Sequence, residues 1–242
     1  MALKYEVKYT NVSKIGNLEV KFKEWTAKDE KRYLNLIEKE DKITDEMIYN
    51  ILIEPCIEDK ELVLSASQQR KLLIDIRIKS ISPDLVDEFI PECSNKSCSS
   101  HKIDDDKITP IKVKKALKTM MKYSPSKFKN LKVKDVEFHF GEIKTNKSKS
   151  ILKLEDGIIN YVMNDFLLHI HKITLDGVEH ENLSINELSS FVDSLPTKIF
   201  DEAFEKYQVM VDALDIEYKF NCDYCGTKNI KDYTHIPNLL WV

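Results

Sequence analysis

Tyr218-Lys219-Phe220-Asn221-Cys222-Asp223-Tyr224-Cys225-Gly226 is a short alternating run that ends in a cysteine knuckle. The alternation predicts a strand. The gap between the cysteines lets both thiolates face one ion, and the glycine after them permits a tight turn whose N–H groups face the sulfurs. A second knuckle stands far upstream. Val86-Asp87-Glu88-Phe89-Ile90-Pro91 reads as a strand leading into Cys93-Ser94-Asn95-Lys96-Ser97-Cys98, a wider pair still inside the spacing range of structural zinc sites.

Two knuckles, each fed by a strand, are what a zinc-ribbon-like site needs. The long insertion between them means that one ion would tie the two halves of the chain together. The expectation is one structural zinc held by Cys93, Cys98, Cys222 and Cys225. Reduced thiols without metal and disulfides are the other readings of these pairs. A further variant puts His101 in place of Cys98. The remaining cysteine, Cys56, follows Pro55 and reads as a small buried hydrophobe. Four thiolates leave no open coordination position, so such a site would support folding and not turnover.

The 242 residues are 42% hydrophobic and 32% charged, a mixture that can bury a core. Five glycines are few for a nucleotide-binding protein. The 37 basic and 41 acidic residues leave a net charge of -4, without the basic excess of a general nucleic-acid binder. Lys112, Lys114, Lys115 and Lys118 form a local basic run just after Asp104, Asp105 and Asp106, and read as a solvated face. The first residues lack the apolar core of a signal peptide, and no segment has the length of a membrane span. The expected compartment is therefore a reducing cytoplasm, where paired cysteines favour metal over disulfides.

The predicted fold class is α+β, with helices, small β-hairpins and the zinc-ribbon-like site. Tyr5, Val7 and Tyr9 alternate before a turn at Gly16-Asn17, and Leu18, Val20 and Phe22 alternate after it, which predicts a hairpin. Thr26 with Asp29 resembles a capping box ahead of Tyr33, Leu34 and Ile37. Further helices are expected from Thr44 through Met47, Ile48 and Ile51, and from Ser65 through Leu72, Leu73 and Ile76. Val136, Phe138 and Phe140 predict a strand, and residues 144–150 a loop. Ile159, Val162, Phe166 and Ile170 have helical spacing, and Asp176-Gly177 marks a hairpin turn. Ser184 and Glu187 form a capping box before Leu188, Phe191 and Val192, and Pro196 opens the next helix. Phe200, Phe204, Tyr207, Val211 and Leu214 then read as one apolar stripe, expected to be core. These elements divide into residues 1–102 (hairpin, helices, first knuckle), 103–155 (irregular and strand middle) and 156–242 (helices, second knuckle), joined as one zinc-stapled unit.

No catalytic constellation stands out. His169 and His171 are two apart and face different ways on a helix. His139, His180 and His235 have no partner at ligand spacing. The zincin, phosphate-loop, nucleophile-elbow and dinucleotide motifs are missing from the sequence. The chain is not expected to be an enzyme.

The order of these features resembles the baseplate hub proteins and hub assembly factors of T-even-type contractile-tailed bacteriophages. The similar stretches are Met1-Ala2-Leu3, the hairpin ending Val20-Lys21-Phe22, and Thr26-Ala27-Lys28-Asp29-Glu30-Lys31. An Arg-x-x-Ser element follows at Arg77 and Ser80, then Leu195-Pro196, Phe200 and the long helix, Cys222-x-x-Cys225-Gly226, Ile230 and an apolar end. The chain departs from that pattern in its wider first pair, in Ile81-Ser82 after the Arg-x-x-Ser element and in its ending Leu240-Trp241-Val242. The resemblance implies a non-enzymatic role in tail assembly, with other baseplate, hub and tail proteins as partners. It implies residence in the host cytoplasm during assembly or in the virion baseplate, and leaves a homo-oligomer open. No membrane partner is expected from the sequence, and the acidic balance argues against nucleic acid. The runner-up is a zinc-ribbon regulator that binds nucleic acid, which the knuckles suit and the acidic balance opposes. A hydrolase is a distant third.

Overall fold

Gly16 and Asn17 fill a two-residue turn, Gly16 at a φ of 59°, and this fixes the first hairpin: Ile15 must face Leu18, and pairing runs back from there. Strand β1 is therefore Asn11–Ile15 against β2, Leu18–Phe22. The sequence placed this strand at Tyr5, Val7 and Tyr9. Val7 and Tyr9 lie ahead of it in irregular chain, and Tyr5 is outside the described residues. The computed structural model describes residues 7–39, 45–103, 107–143 and 165–234.

The contacts divide the chain into two compact units. Unit 1 comprises residues 1–58, 70–123 and 214–242, and unit 2 comprises residues 59–69 and 124–213. Both mix helices with small antiparallel sheets, as the α+β reading expects. Among the described residues, no helix is long and apolar enough to cross a membrane.

In unit 1, β2 leads into helix α1, Ala27–Lys39. The Asp29 carboxylate accepts from the Thr26 N–H at 2.9 Å and from its hydroxyl at 2.6 Å, so Asp29 caps the helix as a box Glu would. Tyr33 is buried as expected, whereas Leu34 is exposed; the Ile37 side chain is outside the described residues. Helix α2, Asp45–Ile48, widens at once into an i+5 turn, in which the Glu54 N–H donates to the Tyr49 carbonyl. Helix α3, Ala66–Ser80, buries Leu72, Leu73 and Ile76. Its end is clamped by Arg77, which is fully buried. The Arg77 guanidinium donates to the carbonyls of Ser82 at 2.8 Å and Asp84 at 3.3 Å. Ser80 Oγ accepts from the Trp25 N–H at 2.8 Å. The Arg-x-x-Ser element thus fixes the exit of α3 and the start of the next strand.

That strand is β3, Asp84–Phe89, paired with β4, Ile111–Ala116. A single helical turn, α4 (Leu117–Met120), leads to β5, Met121–Ser124. The chain returns to unit 1 at Leu214, one residue into β10, Ala213–Asn221, which lies between β5 and β11, Lys228–Asp232. Ile74, Leu85, Val113, Leu117, Met120, Leu214, Ile216 and Tyr233 form a shared core beneath these strands.

The described residues of unit 2 include a four-stranded antiparallel sheet in meander order, a helical turn at 165–169 and two longer helices. Its strands are β6 (Leu131–Val133), β7 (Val136–Phe140), β8 (Ile170–Leu175) and β9 (Val178–Glu181), in that order. Asp176 and Gly177, with φ of 50° and 81°, make the left-handed turn that the Asp-Gly pair predicts. Helix α5, Ile185–Ser194, starts at a full capping box of Ser184 and Glu187. Helix α6, Thr197–Gln208, follows Pro196, whose carbonyl accepts from Ile199 and Phe200.

Two helical readings need correction. Ile170 begins β8 instead of continuing a helix; the helical turn covers residues 165–169, and Ile159, Val162 and the loop read at 144–150 are outside the described residues. The stripe from Phe200 to Leu214 is core but not one helix. It ends at Gln208, Val209 is 83% exposed, and Leu214 belongs to β10 and the other core. Within unit 2, Tyr207 is buried, while Phe200, Phe204 and Val211 pack at the edge of the core.

Candidate metal centre

Four contacts inside unit 1 bring the end of β3 to β10 and β11, which are far from it in sequence. The Phe89 ring meets Tyr218 and Phe220 edge-on, with centroids 6.3 and 5.6 Å apart. The Tyr233 hydroxyl donates to Asp87 at 2.6 Å. The Ser94 N–H donates at 2.8 Å to the buried side chain of Asn229 on β11. Beyond Phe89, Pro91 cannot donate to a ladder, and the chain leaves the sheet towards Cys93. Beyond Asn221, the chain folds back so that Gly226 donates to the Cys222 carbonyl and Cys222 to the Thr227 carbonyl, each at 2.8 Å. Gly226 takes a φ of 72°, a left-handed conformation open to glycine, in the tight turn that the sequence predicts after Cys225.

The outcome is a cluster of Cys93, Cys98, Cys222 and Cys225 whose sulfurs all lie within 4.8 Å of one another. Cys93 and Cys225 are 3.6 Å apart, and Cys98 and Cys222 are 3.7 Å apart. A tetrahedral site with metal–sulfur bonds of about 2.3 Å has sulfur–sulfur edges of about 3.8 Å. These two spacings are close to those edges and too long for a disulfide. All five cysteines are unbridged. The donor set therefore fits a soft, tetrahedral ion.

Polar groups face the sulfurs in a repeated arrangement. Backbone N–H groups of Asn95, Ser100 and Thr227 point at Cys93, Cys98 and Cys225, each two residues earlier. The Ser100 hydroxyl donates to Cys98 at 3.1 Å, and Thr227 Oγ1 lies 3.1 Å from Cys225. The electrostatic results differ. Burial pushes the Cys93 thiol up to about 12. The Thr227 hydroxyl and N–H draw the exposed Cys225 down to about 6, and the Ser100 hydroxyl and N–H lower Cys98. These donors offset the negative charge of clustered thiolates, as outer partners do at metal sites.

The other sequence candidates fall elsewhere. His101 Nε2 pairs with the Asn95 carbonyl at 3.0 Å, and its ring is not in the sulfur cluster. Cys56 is buried apart from the cluster. His169 is buried and satisfied: its Nδ1 lies 2.8 Å from both the Asp165 carbonyl and the Tyr207 hydroxyl. His171 Nε2 contacts the Glu142 carbonyl at 2.7 Å, and His235 is outside the described residues. The sequence reading missed Asn95, Ser100, Thr227 and Asn229. A signal for three of them was present: each follows a cysteine by two residues and can turn its N–H to the sulfur.

A family model described as T4 bacteriophage base plate protein matches residues 4–241. No curated protein and no solved structure matches the chain.

Proposed function

Because the chain belongs to the T4 bacteriophage base plate protein family, we propose that it works in the phage tail as a hub constituent or hub assembly factor, by binding other tail proteins. Cys93, Cys98, Cys222 and Cys225 hold one structural zinc in this reading. The ion supplies cross-linking between β3 and β10 and no open position for substrate water. The observation that carries the reading is the extent of the family match, which includes both cysteine pairs and both units.

Two measurements test it. Quantitative mass spectrometry of infected lysate and purified baseplates separates the roles. A constituent is retained in baseplates at a fixed ratio to the other subunits; an assembly factor is needed for tails but absent from them. Normal tails from phage lacking the gene would exclude both. Elemental analysis of protein purified without chelator should give about one zinc per chain. Cys222→Ser with Cys225→Ser should remove it and unfold the knuckles. A folded, metal-free wild-type protein would overturn the zinc assignment.

A further inference from the structure

Residues 107–134 contain ten lysines and no Asp, Glu or Arg. All ten lysines are exposed. The whole chain is at -4, so everything outside this stretch sums to -14. Such segregation leaves like charges side by side, which disfavours the free fold slightly and favours an oppositely charged partner.

The part of this stretch in unit 1 has a defined geometry. The β3–β4 ribbon turns Leu85 and Val113 into the core. Its outward face pairs Val86 with Lys114 and Glu88 with Lys112. Val86 is 47% exposed, and Ile90, just past the strand, is 42% exposed. Lys112 reaches Glu88 at 3.6 Å, and Lys115 sits over the Tyr218 ring. Lys114, Lys118 and Lys122 are exposed and form no ion pair among the described residues.

Aliphatic side chains among lysines suit a protein surface better than a nucleic acid. Strand-binding sites for nucleic acid add open aromatic faces, on which bases stack, to their basic groups. Here the nearby Phe89 and Tyr218 rings pack against each other and the core. A small apolar centre with a charged surround is the composition of a protein interface.

We propose that the outward face of the β3–β4 ribbon docks an acidic face of another baseplate protein. Val86 and Ile90 form its apolar centre. Lys112 and Lys114 lie beside them, and Lys118 and Lys122 extend the charge along the chain. This rests on the baseplate reading.

The test uses full-length, zinc-loaded protein against the phage's own baseplate proteins, expressed singly, with a short DNA duplex as comparator. The wild type should bind at least one baseplate protein, more weakly as salt rises. Lys114→Glu, Lys118→Glu and Lys122→Glu together should weaken that binding by at least about tenfold. The same reversal at Lys28, Lys31 and Lys39 on α1 should change it by less than about twofold. Val86→Ser should weaken binding while leaving its salt dependence unchanged. Thermal melting must match the wild type; if the Glu variant melts early, the Lys→Gln version carries the test. Equal losses from both triple variants would overturn the assignment. So would a loss confined to DNA, or to self-association of this chain. Failure of the baseplate reading looks different: the wild type would bind none of the baseplate proteins, and this inference would fall with it.

Discussion

At the residue scale, the buried polar groups of unit 2 act as a set. Tyr207, 2% exposed, donates its hydroxyl proton to Asp165 at 2.9 Å and accepts from His169 Nδ1 at 2.8 Å. Because the Asp165 carbonyl can only accept, Nδ1 carries the His169 proton. Burial raises the Asp165 carboxyl and pushes the Tyr207 hydroxyl far up, so the phenol stays protonated and remains a donor. Removing that oxygen leaves the partly buried Asp165 carboxyl without its hydroxyl donor and weakens the hold on His169. Tyr207→Phe should therefore destabilise the protein by about 1–3 kcal/mol, read as a lower denaturant midpoint at unchanged slope. An unchanged midpoint would mean that the hydroxyl contributes nothing net.

At the element scale, α5 shows how a local signal becomes stability with a defined pH dependence. Ser184 Oγ accepts from the Glu187 N–H at 3.3 Å, while the Glu187 carboxylate accepts from the Ser184 N–H at 2.8 Å and its hydroxyl at 2.7 Å. The Ser184 hydroxyl, then its N–H, holds the Glu187 carboxyl below its ordinary range. A carboxyl depressed in the folded state contributes stability that is fully present above its unfolded value. That contribution is lost as pH falls through the folded value. Ser184→Ala should cost about 1 kcal/mol at neutral pH, and the gap from wild type should narrow in acid. Denaturation series at both pH values check this; a constant gap would remove Glu187 from the account. This box, the Asp176-Gly177 turn and the alternation at Val136–Phe140 were legible because each depends on neighbours in sequence. β1 was not. Its inward positions are Ser13 and Ile15, while Val12 faces out at 50% exposure. Ser13 turns inward because its hydroxyl donates to Asp75 on α3, a long-range contact that hides the alternation. The end of α6 was hidden for a related reason. Tyr207, Val211 and Leu214 keep helical spacing, but the chain turns where buried Asp212 accepts from Ser65 at 2.8 Å.

At the scale of the whole molecule, the cysteine spacings pointed to the site, while its closure depends on contacts that no short stretch displays: Phe89 on Phe220, Tyr233 on Asp87 and Ser94 on Asn229. The same asymmetry predicts how the two units respond to loss of metal. A structural zinc contributes an apparent binding free energy of about 10–16 kcal/mol at neutral pH. An ordinary domain has a net stability of only about 5–15 kcal/mol. With zinc held by the four thiols as proposed above, removing it takes away about as much as the whole net stability of an ordinary domain, and leaves Cys93, Cys98 and Cys222 buried at close range. Unit 2 has its own core, where Phe138, Phe166, Leu188 and Tyr207 are all buried, and holds none of the four cysteines. Hydrogen exchange before and after chelation should therefore split the chain. Amides of β3, β4, β10 and β11 should lose protection, and those of β7, β8, α5 and α6 should keep most of theirs. Restoring zinc should restore the first group. Loss of protection in both units together would show that unit 2 depends on the metal as well, and full retention in both would show that the hydrophobic contacts alone close the knuckles.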